Sequence, residues 1–509
     1  MTTDLAELRS RALASDLRRL VPDGISVVDA DLDAMTTDYG RVVHRRPRVI
    51  ARPHDTGEVA AVVRYARRHG ITIATRAAGH SQGGQSLGEC ILLDMRRMSG
   101  AVHVETDGAE GCFVTEAGTT WRDVLAETVA RGMIPPVLTT NHSTTTGGTH
   151  SVGGVGHSSF RFGTQADNCV GLEIVTGAGD VVCCDGDSNL ELFDHALCSL
   201  GTLGVITRIS HRLRRFARFT RIYELAYRDL PRLLADADRL TATDGVTYVH
   251  ARCTAFKDRW IHVLSVTVEG DDHDALADDQ ALLRETGHVH VISRETVPYA
   301  DLLRWMSTDT PLSREAAASV VRPGIDIILP ASVGGAFIGE ILSTVPRWLR
   351  GQVLPLVQFL RGSTLTRPMF MTPTAEPLVM LSILPSVSPD DAATMLGLLT
   401  DISAACLRAG GKHYLAGWIP FDERGWQLHF GVQWADLARL RTLYDPDGVF
   451  SNGVVPREAA AATGRAVQPP NRDASLLAAT GFAHEATAST SRGPNLLSYR
   501  DLRTKHDAE

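Results

Sequence analysis

The residues with the clearest chemical potential lie in the segment RAAGHSQGGQ at 76–85. Its glycines permit positive φ angles, and successive backbone N–H groups in such a loop form a concave site for an anion such as phosphate. A second glycine-rich segment, GGTHSVGGVG, lies at 147–156. Neither segment contains the G-x-G-x-x-G fingerprint of a Rossmann dinucleotide fold. Two such loops are typical of a protein that holds a long, diphosphate-bearing cofactor between them.

The first segment also matches G-x-S-x-G, the nucleophile elbow of serine hydrolases, with Ser81 as the nucleophile. An elbow needs a strand before the serine and a helix directly after it. The strand ITIAT precedes the segment, but further glycines and then the strand ILLDM follow it. Each glycine costs a helix about 1 kcal/mol relative to alanine, which disfavours the elbow. The hydrolase interpretation stays open as an alternative.

The elements around these loops must hold them in place. Residues 48–98 predict strand, helix, strand, loop and strand, because EVAAVVRYARRHG has a helical period and ends on glycine. Residues 216–410 have fewer glycines and alternate longer helices with strands, which is typical of a second α+β domain. After residue 411 the sequence predicts short aromatic segments. The residues from 461 onward have few large apolar side chains and are predicted to form a tail.

Composition and charge exclude several classes of function. The 509 residues suffice for two or three domains, and the net charge of −8 disfavours nucleic acid as a partner. The eight cysteines include no C-x-x-C pair, and no H-E-x-x-H pattern suggests a metal site. The N-terminus lacks the apolar region of a signal peptide, and the most apolar window, 325–345, is interrupted by charged residues and a proline. We therefore expect a cytoplasmic protein without a metal or a membrane partner.

A family resemblance covers about residues 20–455. The segment from Arg46 to Met98 resembles the PCMH-type flavin-binding domain of the vanillyl-alcohol oxidase superfamily. The segments at 147–184 and 200–209, GGTHSVGGVGHSSFRFGTQADNCVGLEIVTGAGDVVCC and LGTLGVITRI, are most similar to the cytokinin dehydrogenases. KHYL, LHFG and LYDPDGVFSNG extend the similarity to the C-terminal part. The resemblance implies a two-domain α+β fold: an FAD-binding domain at 20–215 completed by 411–460, an inserted α+β substrate domain at 216–410, and a tail at 461–509.

The resemblance also implies a set of cofactor-binding residues. In that family the histidine of the G-H-S loop is bonded to the flavin 8α carbon, which implies FAD covalently bound through His80. The stretch where some relatives carry a second, cysteinyl link has no cysteine here, so a single covalent bond is expected. The other implied flavin contacts are Ala77, Ala78, Gly79, Ser81, Gln85, Thr140, Thr145, Ser151, Val155, Ile206, Tyr414 and Ser451.

The chain departs from the family pattern at the catalytic base. Cytokinin dehydrogenases carry an aspartate seven residues before the second glycine loop, where this chain has Thr140. A threonine hydroxyl is not a general base at neutral pH. His142 is predicted to take this role because histidine titrates near pH 6.5, although a structural histidine remains the alternative. Val454 also replaces a family glutamine. These changes make another amine or alcohol a better candidate substrate than cytokinin.

The sequence therefore predicts an FAD-dependent oxidoreductase that removes hydride from a C–H bond next to nitrogen or oxygen in a small molecule. The protein supplies binding and orientation, while the redox chemistry belongs to the cofactor. Oxygen or another acceptor is expected to reoxidise the flavin. The alternatives are a flavin-dependent rearrangement or cyclisation without net oxidation, and a serine hydrolase that uses Ser81.

Overall fold

The computed structural model describes residues 2–257, 259–273, 276, 282–306 and 320–456. The predicted tail and the last residues of the predicted C-terminal segment lie outside the described residues. Helices and strands are mixed along the chain, so the predicted α+β class is confirmed. Within the described ranges, no helix combines the length and the apolar character needed to cross a membrane.

A four-stranded sheet carries the first glycine-rich loop. Its strands are β1 (Ile25–Ser26), β2 (Val49–Ala51), β3 (Ile73–Arg76) and β4 (Ile91–Asp94), in the spatial order β1–β2–β4–β3. Its helices are α1 (Thr2–Leu17), α2 (Asp29–Ala34) and α3 (Thr56–His69). The Asp55 carboxylate caps α3 by accepting from the Glu58 N–H (2.8 Å), and Gly70 ends it with a φ of 61°. The predicted order of strand, helix, strand, loop and strand is present, α3 packs its valines on the sheet, and β2, β3 and β4 run parallel.

A six-stranded antiparallel sheet follows. Its strands are β5 (His103–Asp107), β6 (Glu110–Glu116), β7 (Met133–Ile134), β8 (Cys169–Val175), β9 (Val181–Asp185) and β10 (Val205–Arg215). The order is β5–β6–β10–β8–β9, with β7 against β10. Its helices are α4 (Trp121–Val129), α5 (Thr146–His150), α6 (Ser159–Phe162) and α7 (Leu190–Ala196). The second glycine-rich segment was predicted as a loop throughout, but its first residues are helical because Thr145 caps α5.

An eight-stranded antiparallel sheet forms the second half of the molecule. Its strands are β11 (Phe219–Tyr227), β12 (Val246–Phe256), β13 (Arg259–Gly270), β14 (His290–Pro298), β15 (Ile325–Pro330), β16 (Val353–Leu360), β17 (Leu378–Pro385) and β18 (Lys412–His413). They lie in the order β14–β11–β13–β12–β16–β17–β15–β18. The accompanying helices are α8 (Leu230–Thr241), α9 (Tyr299–Met306), α10 (Ala331–Thr344) and α11 (Ala392–Arg408).

The two faces of this large sheet differ in character. On β15, Ile325 and Ile327 belong to the apolar cluster that α8, α10 and α11 cover, whereas Ile328 packs with residues of the six-stranded sheet and of the C-terminal segment. Because side chains alternate along a strand, Asp326 shares the face of Ile328. Opposite residues of paired strands share a face, so the register extends it across the sheet. We call this the polar face and define it by Asp326, Ser382, Gln358, His250 and Arg252.

The C-terminal segment connects both halves. After β18 come two helices, α12 (Glu423–Phe430) and α13 (Gln433–Tyr444). The expectation of short aromatic segments missed these helices, in which the rings of Trp426 and Phe430 from α12 stack with Trp434 at the start of α13. The segment then reaches the first sheet, where the Ile73 N–H donates to the Val449 carbonyl (2.7 Å). Since β18 belongs to the large sheet, the domain boundary at 411 stays a prediction.

Candidate functional site

The His80 loop, residues 77–90, connects the parallel strands β3 and β4 and is anchored by a buried carboxylate. Oδ2 of Asp38 accepts hydrogen bonds from the Gly84 N–H (2.7 Å) and the Ser81 hydroxyl (2.9 Å). A glycine-rich loop loses much conformational entropy when it is ordered, and these bonds offset part of that cost. The carboxylate therefore helps to hold the loop in one conformation.

The same loop is bonded to a segment from the far end of the chain. The side-chain amide of Gln85 donates to the carbonyl oxygens of Leu415 (3.0 Å) and Gly417 (2.5 Å). The Gln82 N–H donates to the Ala416 carbonyl (3.2 Å). Gln85, a predicted flavin contact, thus uses its buried amide to position the loop against the protein backbone.

His80 is an exposed side chain in the middle of this anchored loop. Ala78 is exposed beside it, whereas Gly79 and Gln82 are buried. The imidazole packs against the Tyr39 ring with 4.4 Å between centroids, and its Nδ1 lies 3.3 Å from Nδ2 of Asn141. These two contacts orient a ring that solvent and small molecules can reach.

The second glycine-rich segment meets the His80 loop. The Thr145 hydroxyl accepts from the Gly148 N–H (3.2 Å), and the Ser151 hydroxyl donates to the Gly147 carbonyl (2.8 Å). A Cβ atom placed on Gly148 would stand 3.4 Å from the Cβ of Ala77. The fold therefore brings together the two loops that were predicted to flank a cofactor.

A buried cation lies directly beneath the His80 loop. Arg76 is 9% exposed, and a Cβ atom on Gly79 (φ 69°) would collide with its guanidinium group. Burial lowers the pKa of Arg76 and raises the pKa of Asp38, because each charged form loses hydration. Nη1 of Arg76 is buried without a hydrogen-bond partner among the described residues. An unmatched buried guanidinium N–H suits an anionic ligand such as a phosphate.

The remaining predicted contacts come from three further segments. Val155 and Ile206 lie in one buried apolar cluster, against which Tyr414 packs. The Ser451 N–H donates to the Ile73 carbonyl (3.0 Å), close to the start of the His80 loop. The fold gathers these residues from distant parts of the chain, while their contact with a flavin stays a prediction.

The two residues predicted to act in catalysis lie just before α5. Thr140 is half-buried, and His142 is buried with its backbone carbonyl accepting from the Arg122 N–H (2.9 Å). Asn141, between them, turns its amide toward His80. The segment therefore borders the His80 loop, and the role of His142 as a base stays a prediction.

The local structure at Ser81 lacks the form of a nucleophile elbow. Residues 82–90 lead into β4 as a loop, without the helix that an elbow requires. The Ser81 hydroxyl bonds instead to Asp38 (2.9 Å) and to the Ser86 hydroxyl (2.8 Å). A catalytic serine needs an adjacent base such as an imidazole, so these contacts argue against the hydrolase interpretation.

The polar face of the large sheet borders the glycine-rich loops, and the sequence analysis missed it. The ring of His250 stacks at 3.8 Å on that of His157, which follows the second glycine-rich segment. Burial lowers the pKa of His157 to about 4, so this ring is neutral at pH 7. Arg252 pairs with Glu224 (2.7 Å) on the neighbouring part of the face. Only the strand register reveals this face, because its residues are scattered over several strands.

Comparisons with known proteins establish the family. Residues 47–185 match the FAD binding domain model, and residues 234–455 match the model described as cytokinin dehydrogenase 1, FAD and cytokinin binding. The chain is 30% identical over 428 residues to an uncharacterized oxidoreductase in the fasciation locus of Rhodococcoides fascians, covering 84% of this chain and 97% of that relative. This chain belongs to the FAD-dependent oxidoreductase family that includes the cytokinin dehydrogenases.

Other relatives of this FAD-dependent oxidoreductase support the same family assignment. Cytokinin dehydrogenase 5 of Oryza sativa subsp. japonica is 28% identical, with 84% of this chain and 90% of the relative covered. The solved 6-hydroxy-D-nicotine oxidase from Arthrobacter nicotinovorans is 21% identical, with a TM-score of 0.66 and 84% and 97% of the two chains covered. A chitooligosaccharide oxidase is 18% identical, with a TM-score of 0.68 and coverage of 83% and 94%. The predicted superfamily, the FAD cofactor and the enzyme class are confirmed.

Proposed function

We propose that this oxidoreductase carries its FAD covalently on His80 and removes hydride from a C–H bond next to nitrogen or oxygen in a small organic molecule. The observation that carries the proposal is the exposed His80 ring, which Tyr39 and Asn141 orient in a loop that is anchored through Gly84 and Gln85. An accessible imidazole fixed in this way is suited to form a bond with a cofactor that lies along the loop.

The described residues fit FAD on two counts. The buried Arg76 guanidinium has an unmatched N–H group, and the two glycine-rich loops approach each other closely enough to flank a diphosphate. When bound, FAD accepts the two electrons of the reaction as hydride. The residues that would hold it are Ala77, Ala78, Gly79, Ser81 and Gln85 with Thr140, Thr145, Ser151, Val155, Ile206, Tyr414 and Ser451.

The polar face is the proposed boundary of the substrate site. It supplies hydrogen-bonding groups such as Gln358, whose Oε1 is buried without a partner among the described residues. With Thr140 in the position of the family's aspartate, an amine or alcohol other than cytokinin is the proposed substrate. Oxygen or another acceptor would reoxidise the flavin.

Because Thr140 is not a base, a rearrangement or cyclisation without net oxidation is the second candidate function. Such a reaction would leave the flavin oxidised when substrate is added without oxygen.

Replacement of His80 by alanine is expected to abolish covalent attachment while the loop still folds, because its exposed ring contributes little to the core. Purified protein is precipitated with acid, and the absorbance of the pellet and of the supernatant is recorded. In wild type and in the exposed control variant His103→Ala the flavin bands should stay with the pellet, and in His80→Ala they should leave it. Yellow colour released from wild-type protein would exclude the covalent bond and leave FAD binding intact.

A further inference from the structure

One buried carboxylate on the polar face has no evident structural purpose. Asp326 is 8% exposed, and in the described ranges no salt bridge neutralises it. A buried carboxylate without a counter-charge reduces stability, because its ionised form loses hydration. We propose that Asp326 is the proton acceptor of the reaction, replacing the aspartate that relatives carry where this chain has Thr140. This inference rests on the proposed function and names its general base.

The other buried aspartates of the described residues have clear structural bonds. Asp38 anchors the His80 loop, and Asp94 pairs with Arg96 (2.7 Å). Asp236 accepts from the Tyr227 hydroxyl (3.0 Å). Asp445 accepts from two consecutive backbone N–H groups near the end of the described chain. For Asp326 the corresponding interaction is one hydrogen bond with the Ser382 hydroxyl on the neighbouring strand.

Asp326 is linked to the His80 loop through Gly417 and Gly324. A Cβ atom on Gly417 would stand 3.2 Å from its Oδ2, so the absence of a side chain there leaves room for the carboxylate. The carbonyl of Gly417 in turn accepts from the Gln85 side chain (2.5 Å). Two residues before Asp326, a Cβ atom on Gly324 would collide with the Gln82 amide. Contacts from both sides of the carboxylate therefore lead directly to the loop that carries His80.

Asp326 also lies beside the second glycine-rich segment. It interacts electrostatically with Tyr414, and the backbone amides of Gly154 and Val155 face the Tyr414 hydroxyl. The backbone joins the same residues, because the Tyr414 N–H donates to the Asp326 carbonyl (3.0 Å). Through Gly417 and Tyr414 the carboxylate is thus linked to both glycine-rich loops, which are proposed to hold the flavin beside which a general base would act.

The environment of Asp326 suits a base that works near neutral pH. Burial raises its pKa to about 6, and the Ser382 hydrogen bond opposes this effect only in part. From the C-terminal segment the titratable group that faces it is Tyr414, whose pKa burial raises above the ordinary value, so this phenol is neutral at pH 7. From the His80 loop the nearby side chains are the uncharged amides of Gln82 and Gln85. The carboxylate is therefore ionised above about pH 6 and can accept a proton.

The proposed step balances atoms and electrons. The ionised carboxylate of Asp326 takes the proton of the substrate N–H or O–H bond. FAD, when bound, would supply the acceptor for hydride from the adjacent C–H bond, whose carbon would then form a double bond to nitrogen or oxygen. The substrate loses two electrons and two hydrogens, of which one is held as a proton on Asp326 and the other is transferred to the cofactor with both electrons.

The test compares wild-type holoenzyme with Asp326→Asn, His142→Gln and the control Asp436→Asn, whose side chain is 47% exposed. Two quantities are measured between pH 4.5 and 8.5: the flavin absorption spectrum, and the rate of anaerobic flavin reduction by N6-isopentenyladenine, 6-hydroxynicotine and benzyl alcohol. In wild type the reduction rate should rise with pH as one group ionises near pH 6. Asp326→Asn should remove this rise and lower the rate by about 10²–10⁴-fold. His142→Gln and Asp436→Asn should retain the rise with pH.

A thermal scan shows whether Asp326→Asn is folded. Because the pKa of Asp326 is raised in the folded state, wild type should lose stability as pH increases from 4 to 6, and the asparagine variant should lose less. A rate in Asp326→Asn within threefold of wild type, or loss of the pH dependence in His142→Gln instead, would overturn the proposal. If none of the three compounds reduces the wild-type flavin, the proposed hydride removal from them is refuted, independently of the role of Asp326. A flavin spectrum that changes near pH 6 in wild type but not in Asp326→Asn would then still support the placement of Asp326 beside the flavin. The absence of this spectral change would refute that placement.

Discussion

Replacement of Asp38 by alanine is expected to empty the protein of FAD and to lower the free energy of unfolding by about 3–5 kcal/mol. The carboxylate accepts from the Gly84 N–H and the Ser81 hydroxyl, so its loss leaves two donors of the His80 loop unmatched. It also removes the negative charge that faces the buried Arg76. An uncompensated buried cation is among the costliest defects that one substitution can introduce.

Denaturant unfolding and the ratio of flavin to protein absorbance measure the two effects. Asp38→Asn keeps one oxygen acceptor and loses the charge, so it separates the hydrogen bonds from the electrostatic interaction with Arg76. Asp33→Ala, which removes an exposed aspartate paired with Arg46, is the control and should change stability by less than about 1 kcal/mol. Normal flavin content in Asp38→Ala would show that the His80 loop does not depend on this anchor.

Replacement of Trp121 by alanine is expected to lower the free energy of unfolding by about 3–5 kcal/mol. The side chain is fully buried behind the second glycine-rich segment. Its indole N–H donates to the Thr149 hydroxyl in α5 (2.9 Å), and its ring stacks on His150 with 6.0 Å between centroids. Truncation would leave a cavity under the residues that are proposed to contact the flavin, and the Thr149 hydroxyl would keep only its bond to the Thr146 carbonyl (3.2 Å).

Trp121→Phe separates the packing from the hydrogen bond. It retains an aromatic ring in the core and loses only the N–H donor and part of the volume, so its cost should be about 1–2 kcal/mol. Urea unfolding of both variants gives the comparison. Equal losses for alanine and phenylalanine would show that the hydrogen bond to Thr149, rather than the buried ring, stabilises this region.

Local sequence patterns predicted the helix Thr56–His69 and the loop that carries His80. The helix at Thr56–His69 could be read from its period, its acidic cap and its terminal glycine, which are all encoded within a few neighbouring residues. The position of His80 in a glycine-rich loop between two strands was likewise visible, and the structure places it there. Such features depend on backbone preferences that act over short distances.

The residues that act through the tertiary fold were not predictable in this way. Asp326 stands in IDIILP, a short and mostly apolar strand, and only the register of its neighbours shows which face it occupies. Asp38, in the loop after α2, interacts electrostatically with Arg76 at the end of β3, and no spacing in the sequence indicates this interaction. The aromatic residues of the last two helices were seen, but their four-residue spacing was not interpreted as helical.

The bonds between the ends of the chain have a consequence for biosynthesis. The Arg45 guanidinium binds the carbonyl of Asn452, 407 positions later, and β3 is bonded to Val449. Translation at 5–20 residues per second leaves the first sheet without these partners for roughly 20–80 s. During this interval the edge of β3 is open to chaperones and to mispairing. We therefore expect FAD to bind only after residues 449–453 have left the ribosome and contacted the first sheet.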